Sequence, residues 1–125
     1  DWILLIKSAT NVLKGDNFVV VYPELIQDKI IVSKGEVITS EIFEKNALDY
    51  KNINSNINTL LRKTTDKIKL KGSVVNEITT KGNFLKKIRD SLSNDQDIKY
   101  QLEVISLKDS KTAEPIIVEI NITKL

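Results

Sequence analysis

The chain contains no cysteine and no histidine among its 125 residues. These absences exclude thiolate nucleophiles, imidazole acid–base catalysts, disulfides and zinc sites built from those side chains. Most hydrolase active sites depend on one of these groups, so we expect a protein that is not an enzyme and that needs no cofactor and no metal ion. The absence of cysteine is compatible with both oxidising and reducing compartments, so it does not decide the location.

Glycine and proline are scarce, with four and two residues. Gly72 and Gly82 do not belong to a phosphate-binding loop of either common pattern, so we interpret them as a strand end and a helix entry. No apolar run reaches the roughly 18 residues of a membrane helix. Methionine is absent even from position 1, which favours a fragment or a processed product, the soluble part of a longer, membrane-anchored chain.

Charge and hydrophobicity are those of an ordinary globular protein. The net charge is +2, with 41% hydrophobic and 29% charged residues, so the molecule as a whole is not a strongly basic binder of polyanions. The length matches one domain with its own core, and no composition break divides the chain. We therefore expect a single domain over residues 1–125.

The first half of the chain predicts two helices and a hairpin. The spacing of Trp2, Leu5 and Ala9 predicts a helix over 2–14; alternatively, "WILLI" is the end of a transmembrane or signal segment. The runs "NFVVVYP" and "DKIIVS" are rich in β-branched residues and are interpreted as the two strands of a hairpin. Ser40 resembles a helix N-cap, which predicts a short helix over 41–46.

The second half of the chain predicts two helices, a half-exposed strand between them and a closing hairpin. Apolar residues at helical spacing predict a helix over 51–63, and "KIKLKGSVV" alternates like a half-exposed strand with Ile68 and Leu70 toward the core. A further helix is expected over 82–92, followed by an antiparallel hairpin of Ile98–Val104 and Ile116–Ile122. The fold class is therefore α+β, an antiparallel sheet with helices packed on one face and a C-terminal β-α-β-β unit.

The candidate interaction residues are six cations and one phenylalanine. Lysines on the predicted strand and cations on the following helix suggest either a solvated surface or a contact for a partner; the residues are Lys67, Lys69, Lys71, Phe84, Lys86, Lys87 and Arg89. The alternative function is a nucleic-acid or anionic-polymer binding domain. Nucleic acid is not the favoured partner because the aromatic residues fall at apolar-face positions.

Two acidic clusters resemble catalytic or metal-binding groups only in part. Glu41 and Glu44, one turn apart on the predicted helix, are more typical of exposed helix charges than of an acid–base pair. Asp90, Asp95 and Asp97 lack the glycine and the closing glutamate of a calcium loop. We therefore expect exposed helix charges at Glu41 and Glu44, and a loop at the end of a helix for the three aspartates.

Residues 67–125 resemble a known family. A strand ending at Gly72, the "F-L-x-x-I" helix from Phe84 to Ile88 and the closing hairpin are similar to the small ferredoxin-like periplasmic domains of inner-membrane assembly proteins of type IV pili and type II secretion systems. The first 66 residues depart from that family and instead resemble pilin-like subunits. Either resemblance implies an extracytoplasmic, non-catalytic assembly module whose partners are protein subunits, including copies of itself, with a membrane contact through a missing N-terminal segment.

Overall fold

The computed structural model describes residues 1–8, 21–75, 77–92 and 98–125. These residues form an α+β fold, as predicted. In chain order the elements are β1 (Trp2–Ser8), β2 (Val21–Gln27), β3 (Ile30–Val32), β4 (Val37–Glu44), a 3-10 turn (Lys45–Leu48), α1 (Ile53–Leu70), β5 (Ile78–Thr80), α2 (Phe84–Ser91), β6 (Lys99–Ser106), β7 (Ser110–Lys111) and β8 (Ile116–Lys124).

The largest sheet has four strands in the order β4-β6-β8-β5. Strand β6 pairs antiparallel with β4 and with β8, while β5 runs parallel to β8. The predicted closing hairpin is therefore confirmed. Because side chains alternate across a strand, every second residue of the hairpin is buried in the core: Tyr100, Leu102, Val104, Ile116, Val118 and Ile120.

Both helices cover the same face of this sheet. Leu60 of α1 and Ile88 of α2 are fully buried in one cluster with the inward residues of β6 and β8. On the other face, intervening residues such as Gln101 and Glu103 are only half-buried. The C-terminal β-α-β-β order is present as β5-α2-β6-β8, but its first strand is Ile78–Thr80 and not the predicted run before Gly72.

Helix α1 is longer than predicted and contains the run that was interpreted as a strand. The prediction that Ile68 and Leu70 share a buried strand face is wrong, because Ile68 is 1% exposed and Leu70 is 88% exposed. Ile68 continues the helical row of buried residues that includes Leu60 and Thr64. Over five residues, an apolar–lysine alternation fits a strand and also fits the end of an amphipathic helix.

Gly72 ends this helix and does not end a strand. Its φ of +106° lies in the left-handed region that glycine adopts most easily. The Gly72 N–H donates to the Lys69 carbonyl at 3.0 Å, and the Ser73 N–H donates to the Ile68 carbonyl at 3.2 Å. These two bonds form a Schellman motif, which satisfies carbonyls that the helix end leaves open.

Three predictions in the first half of the chain are wrong. Residues 2–8 form strand β1 where a helix was expected, and residues 9–14 of that expected helix lie outside the described residues. The two predicted hairpin strands do not pair with each other, since β2 pairs with β1 and β3 pairs with β7. The predicted helix over 41–46 is mostly strand β4, whose β-branched and aromatic residues pair with β6.

A buried hydroxyl pair joins α1 to β4. Thr64 is fully buried and Thr39 is 4% exposed. Their Oγ1 atoms are 2.8 Å apart, and the Thr64 hydroxyl also lies 2.8 Å from the Leu60 carbonyl. Since each hydroxyl has one proton, Thr64 donates to the carbonyl and accepts from Thr39.

No helix among the described residues is both long enough and apolar enough to cross a membrane.

The contrast between Ile68 and Leu70 gives a test of the helical register. We expect Ile68→Ala to lower the free energy of unfolding by about 2–4 kcal/mol, because it leaves a cavity in the core. Leu70→Ala should change it by less than about 0.5 kcal/mol, as is usual for exposed positions. Urea denaturation measures both. Equal losses would contradict the register of α1.

The Thr39–Thr64 pair gives a second test. Thr64→Val removes the acceptor for the Thr39 hydroxyl, so we expect a loss of about 1–3 kcal/mol from that unsatisfied group. The double variant with Thr39→Val should lose less than the sum of the single variants, because neither hydroxyl is then left unpaired. Strict additivity in denaturant melts would show that the two hydroxyls do not interact.

Candidate interaction surfaces

The lysines near the end of α1 lie on a helix beside edge strand β4. Lys63 Nζ lies 2.8 Å from Glu41 Oε1, and Lys71 forms an ion pair with Glu36. Lys67 stands one turn from each of these lysines, so all three follow one side of the helix. Such exposed pairs each contribute about 0–1 kcal/mol. Of the predicted basic residues, Lys71 therefore joins the end of α1 to the segment before β4.

Lys69 belongs to another side of α1. Successive helical residues rotate by about 100°, so Lys69 points roughly opposite Lys67. The three lysines that alternation would have placed together on a strand therefore do not share one face.

Helix α2 carries the remaining candidates. Its N-cap is Asn83, whose Oδ1 accepts a hydrogen bond of 3.0 Å from the Lys86 N–H. Phe84 is half-buried and packs against the core, so its side chain is largely committed to the fold. Lys86, Lys87 and Arg89 are exposed. These three cations remain available to a partner.

The two basic groups lie apart. Helix α2 meets the beginning of α1, where Leu85 and Arg89 line one groove with Ile53 and Asn54. Lys69 lies fifteen residues after Asn54, about 20 Å along the helix axis. The predicted cations therefore form two separate groups and not one basic face.

The groove between the helices has a volume of about 450 Å³ and is partly open. Its lining is mainly apolar and comprises Leu48, Asp49, Tyr50, Ile53, Asn54, Leu85, Arg89 and Leu92. Asp49 Oδ1 accepts hydrogen bonds from the Asn52 and Lys51 N–H groups at 2.9 and 3.1 Å. That carboxylate thus stabilises the turn before α1.

The structure describes the first acidic cluster fully and the second only in part. Glu41 and Glu44 lie three residues apart on strand β4 and therefore on opposite faces, so the expected one-turn helical spacing is wrong. Asp90 is exposed on α2, while Asp95 and Asp97 lie outside the described residues. Among the residues that the structure describes, no group of three carboxylates could hold a metal ion.

Sequence reasoning missed the most prominent surface, the two-stranded ribbon of β1 and β2. One face of this ribbon carries four large apolar side chains, here called the ribbon face. They are Trp2, Leu4, Ile6 and Leu25, with exposed fractions of 69%, 60%, 57% and 67%. Leu4 pairs directly with Leu25, and Trp2 and Ile6 lie two residues away on either side. The patch is therefore continuous.

Thr112 holds the base of the ribbon against the body of the protein. Its hydroxyl donates to the Gln27 carbonyl at 2.9 Å and accepts from the Lys29 N–H at 3.0 Å. The Thr112 carbonyl accepts from the Val74 N–H at 3.0 Å. The end of β2 and the segment after α1 are thus bound to the same buried residue.

A signal for the ribbon was present in the sequence. Residues 2–6 are all apolar, so the run supplies apolar side chains to both faces of a strand. In a helix the same run would leave part of an apolar surface on the solvent side. The run alone does not identify its partner strand, which lies after the residues 9–20 that the structure does not describe.

Comparison of the chain with protein-family models, with curated proteins and with solved structures finds no match in any of the three. The resemblance of residues 67–125 to pilus and secretion domains therefore stays a prediction.

The separation of the cations bears on the nucleic-acid alternative. Because phosphate binding needs several cations along one groove or face, we expect no measurable binding of a single-stranded 20-mer at low salt. Fluorescence anisotropy measures it. Binding that weakens steeply with salt and is lost in the Lys86→Gln/Lys87→Gln/Arg89→Gln variant would support the alternative; the Lys67→Gln/Lys69→Gln variant is the matched control.

Proposed function

We propose that the chain is a non-catalytic protein–protein interaction module in a bacterial envelope or surface assembly, with the ribbon face as its main contact surface. The observation that carries this proposal is the continuous exposure of Trp2, Leu4, Ile6 and Leu25 on paired strands. Monomeric proteins rarely leave large contiguous apolar patches uncovered, and such patches often mark binding sites.

The chemistry of the ribbon face suits a protein partner. It has no charged side chain among its four members, and tryptophan is among the residues that contribute most to protein interfaces. Burying a fully exposed aliphatic side chain of this size contributes roughly 1.5–3 kcal/mol, and those of the ribbon face, which are 57–67% exposed, would gain more than half of that. Together with Trp2, these contributions are of the size needed to offset the loss of translational and rotational freedom on binding, about 4–15 kcal/mol.

The backbone of the ribbon is already paired, so binding a partner would require little rearrangement of it. Seven residue pairs join β1 to β2, and Thr112 ties the end of β2 to the core. A partner therefore meets a backbone that is already paired, which lowers the entropy cost of association. Lys86, Lys87 and Arg89 on α2 remain proposed secondary contacts for an acidic partner surface.

The envelope setting follows from the resemblance of residues 67–125. It predicts that the protein containing this chain is found in the envelope fraction of the source cells. A purely cytoplasmic distribution after fractionation would contradict the setting, while it would leave the proposal of an interaction module unaffected.

Site-specific photo-crosslinking tests the contact surface. We replace Leu4 with a photoreactive phenylalanine derivative in the source cells and expect a discrete covalent adduct with another polypeptide. The physical reason is that a bound partner must cover this side chain. Gel electrophoresis and mass spectrometry measure the adduct and its composition.

The control places the same probe at Leu70, which is 88% exposed on α1. A probe there should give no discrete adduct, although it is at least as accessible. Adducts of equal yield at both positions, or none at Leu4, would refute the ribbon face as the contact surface.

A further inference from the structure

Strand β4 is the long free edge of the four-stranded sheet. It pairs with β6 on one side, and no strand in the described part of the chain pairs with its other side. The opposite edge of the sheet is β5, which has only three residues, whereas β4 has eight, from Val37 to Glu44. A long free edge is a template for a further strand, because its outward N–H and C=O groups lack strand partners.

The hydrogen bonds at the end of β6 show which way its backbone groups point. The Ser106 N–H donates to the Glu36 carbonyl at 2.9 Å, and the Ser106 carbonyl accepts from the Gly35 N–H at 2.7 Å. Both groups of Ser106 are therefore directed toward the β4 side of the sheet. Because this direction alternates along a strand, Leu102 and Tyr100 also direct their N–H and C=O toward β4.

The register between the two strands then identifies the outward groups of β4. Leu102 lies opposite Glu41, and Tyr100 lies opposite Phe43. Directly opposite residues in an antiparallel pair point either both toward or both away from each other, so Glu41 and Phe43 pair with β6. The intervening residues direct their backbone groups outward, and all of them are exposed: Ser40, Ile42 and Glu44.

The usual obstacles to edge pairing are absent from residues 40–44. The segment contains no proline and no lysine, and the register shift of β4 lies before it. Of its two glutamates, Glu41 is paired with Lys63, and Glu44 lies at the end of the strand. Ile42, at the centre, is apolar and 57% exposed. The middle of this edge is therefore open to a further strand.

Helix α1 gives this edge a positive border. Lys63, Lys67 and Lys71 follow the side of the helix that lies over β4, and the first and last of them pair with Glu41 and Glu36. Lys67 lies between them, is exposed and forms no ion pair within the described ranges. A strand added to β4 would place every second side chain on the helix side of the sheet. A carboxylate at such a position would meet Lys67.

The same charges disfavour a second copy as the occupant of the edge. If two copies joined antiparallel through their β4 strands, both α1 helices would lie on one face of the joined sheet. Their rows of lysines would then border the same seam, and like charges repel. An acidic segment from another protein instead brings the opposite charge to this border.

We propose that the outer edge of β4 binds an extended, acidic segment of a partner protein, which joins the sheet as a fifth strand beside residues 40–44. Main-chain hydrogen bonds to Ser40, Ile42 and Glu44 hold the segment, and a carboxylate on its helix side pairs with Lys67. This edge shares no residue with the ribbon face. The inference therefore adds a contact to the proposed function and does not depend on it.

Amide hydrogen exchange in the free chain tests whether the edge is open. The N–H groups of Ser40, Ile42 and Glu44 should exchange at least about tenfold faster than those of Glu41 and Phe43, because only the latter two pair with β6. NMR spectra recorded after transfer to heavy water measure the rates. Protection of Ile42 as strong as that of Phe43 would show that the edge is already covered and would overturn the proposal.

Two synthetic peptides test the chemistry of the partner. Both are seven-residue peptides with blocked ends in which valine alternates with threonine, and the central threonine is replaced by glutamate in one and by lysine in the other. We expect the glutamate peptide to bind about fivefold more tightly or better, because its carboxylate meets Lys67. NMR titration measures the affinities, and shifts of the Ser40 and Ile42 amides locate the peptide. No binding at millimolar peptide, or equal affinities, overturns the proposal.

Two substitutions at Ile42 separate the backbone contact from the side chain. Ile42→Pro removes the outward N–H and leaves the hydrogen bonds between β4 and β6, so it should abolish binding of the glutamate peptide. Ile42→Ala keeps the N–H and should weaken binding by no more than about threefold, because main-chain bonds supply most of the affinity in strand addition. Circular dichroism checks that both variants are folded. Equal affinities of the two folded variants would overturn the strand addition.

A charge reversal on α1 keeps the test decisive if the proline variant does not fold. Lys67→Glu should reverse the preference, so that the lysine peptide binds more tightly than the glutamate peptide. The matched control is Lys69→Glu, which reverses a charge on the other side of the helix and should leave the preference unchanged. A preference that Lys67→Glu does not alter overturns the acidic partner. All these variants keep the four side chains of the ribbon face, so the result is independent of the crosslinking at Leu4.

Discussion

The pairing of β6 with β8 is the constraint on which the rest of the body depends. These two strands occupy the centre of the four-stranded sheet, so β4 and β5 must attach to their outer edges. Their register places Leu102 beside Ile122 and Val104 beside Ile120 on one face. Both helices pack on that face, because a sheet with one apolar face needs a covering layer.

The ribbon stands in contrast to this body. Its strands pair well with each other, but four of its large apolar side chains remain exposed, and its link to the core passes through the polar contacts of Thr112. A sheet of two strands cannot cover its own faces, since each face needs a further layer. An added strand and an added layer are therefore different requirements, and the proposed partner on the ribbon face would meet the second.

The expected basic surface shows how assigning a strand period to a helical segment changes a functional hypothesis. On a strand, Lys67, Lys69 and Lys71 would project from one face. On helix α1, Lys67 and Lys69 point in roughly opposite directions. Lys71, which follows the helix, pairs with Glu36 of the segment before β4. The exposed cations of α2 kept the positions that the sequence predicted for them, because the amphipathic pattern around Ile88 has the helical period and no competing one.

The sequence by itself determined the α+β class, the helices around Leu60 and Ile88 and the closing hairpin, because long stretches of regular periodicity in those segments allow one secondary structure. Only the tertiary structure decided that "WILLI" is a strand and that the run before Gly72 is helical. Short apolar runs fit a helix and a strand equally well locally. Their choice depends on partners distant in sequence, such as Leu25 for Leu4 and the sheet beneath α1 for Ile68.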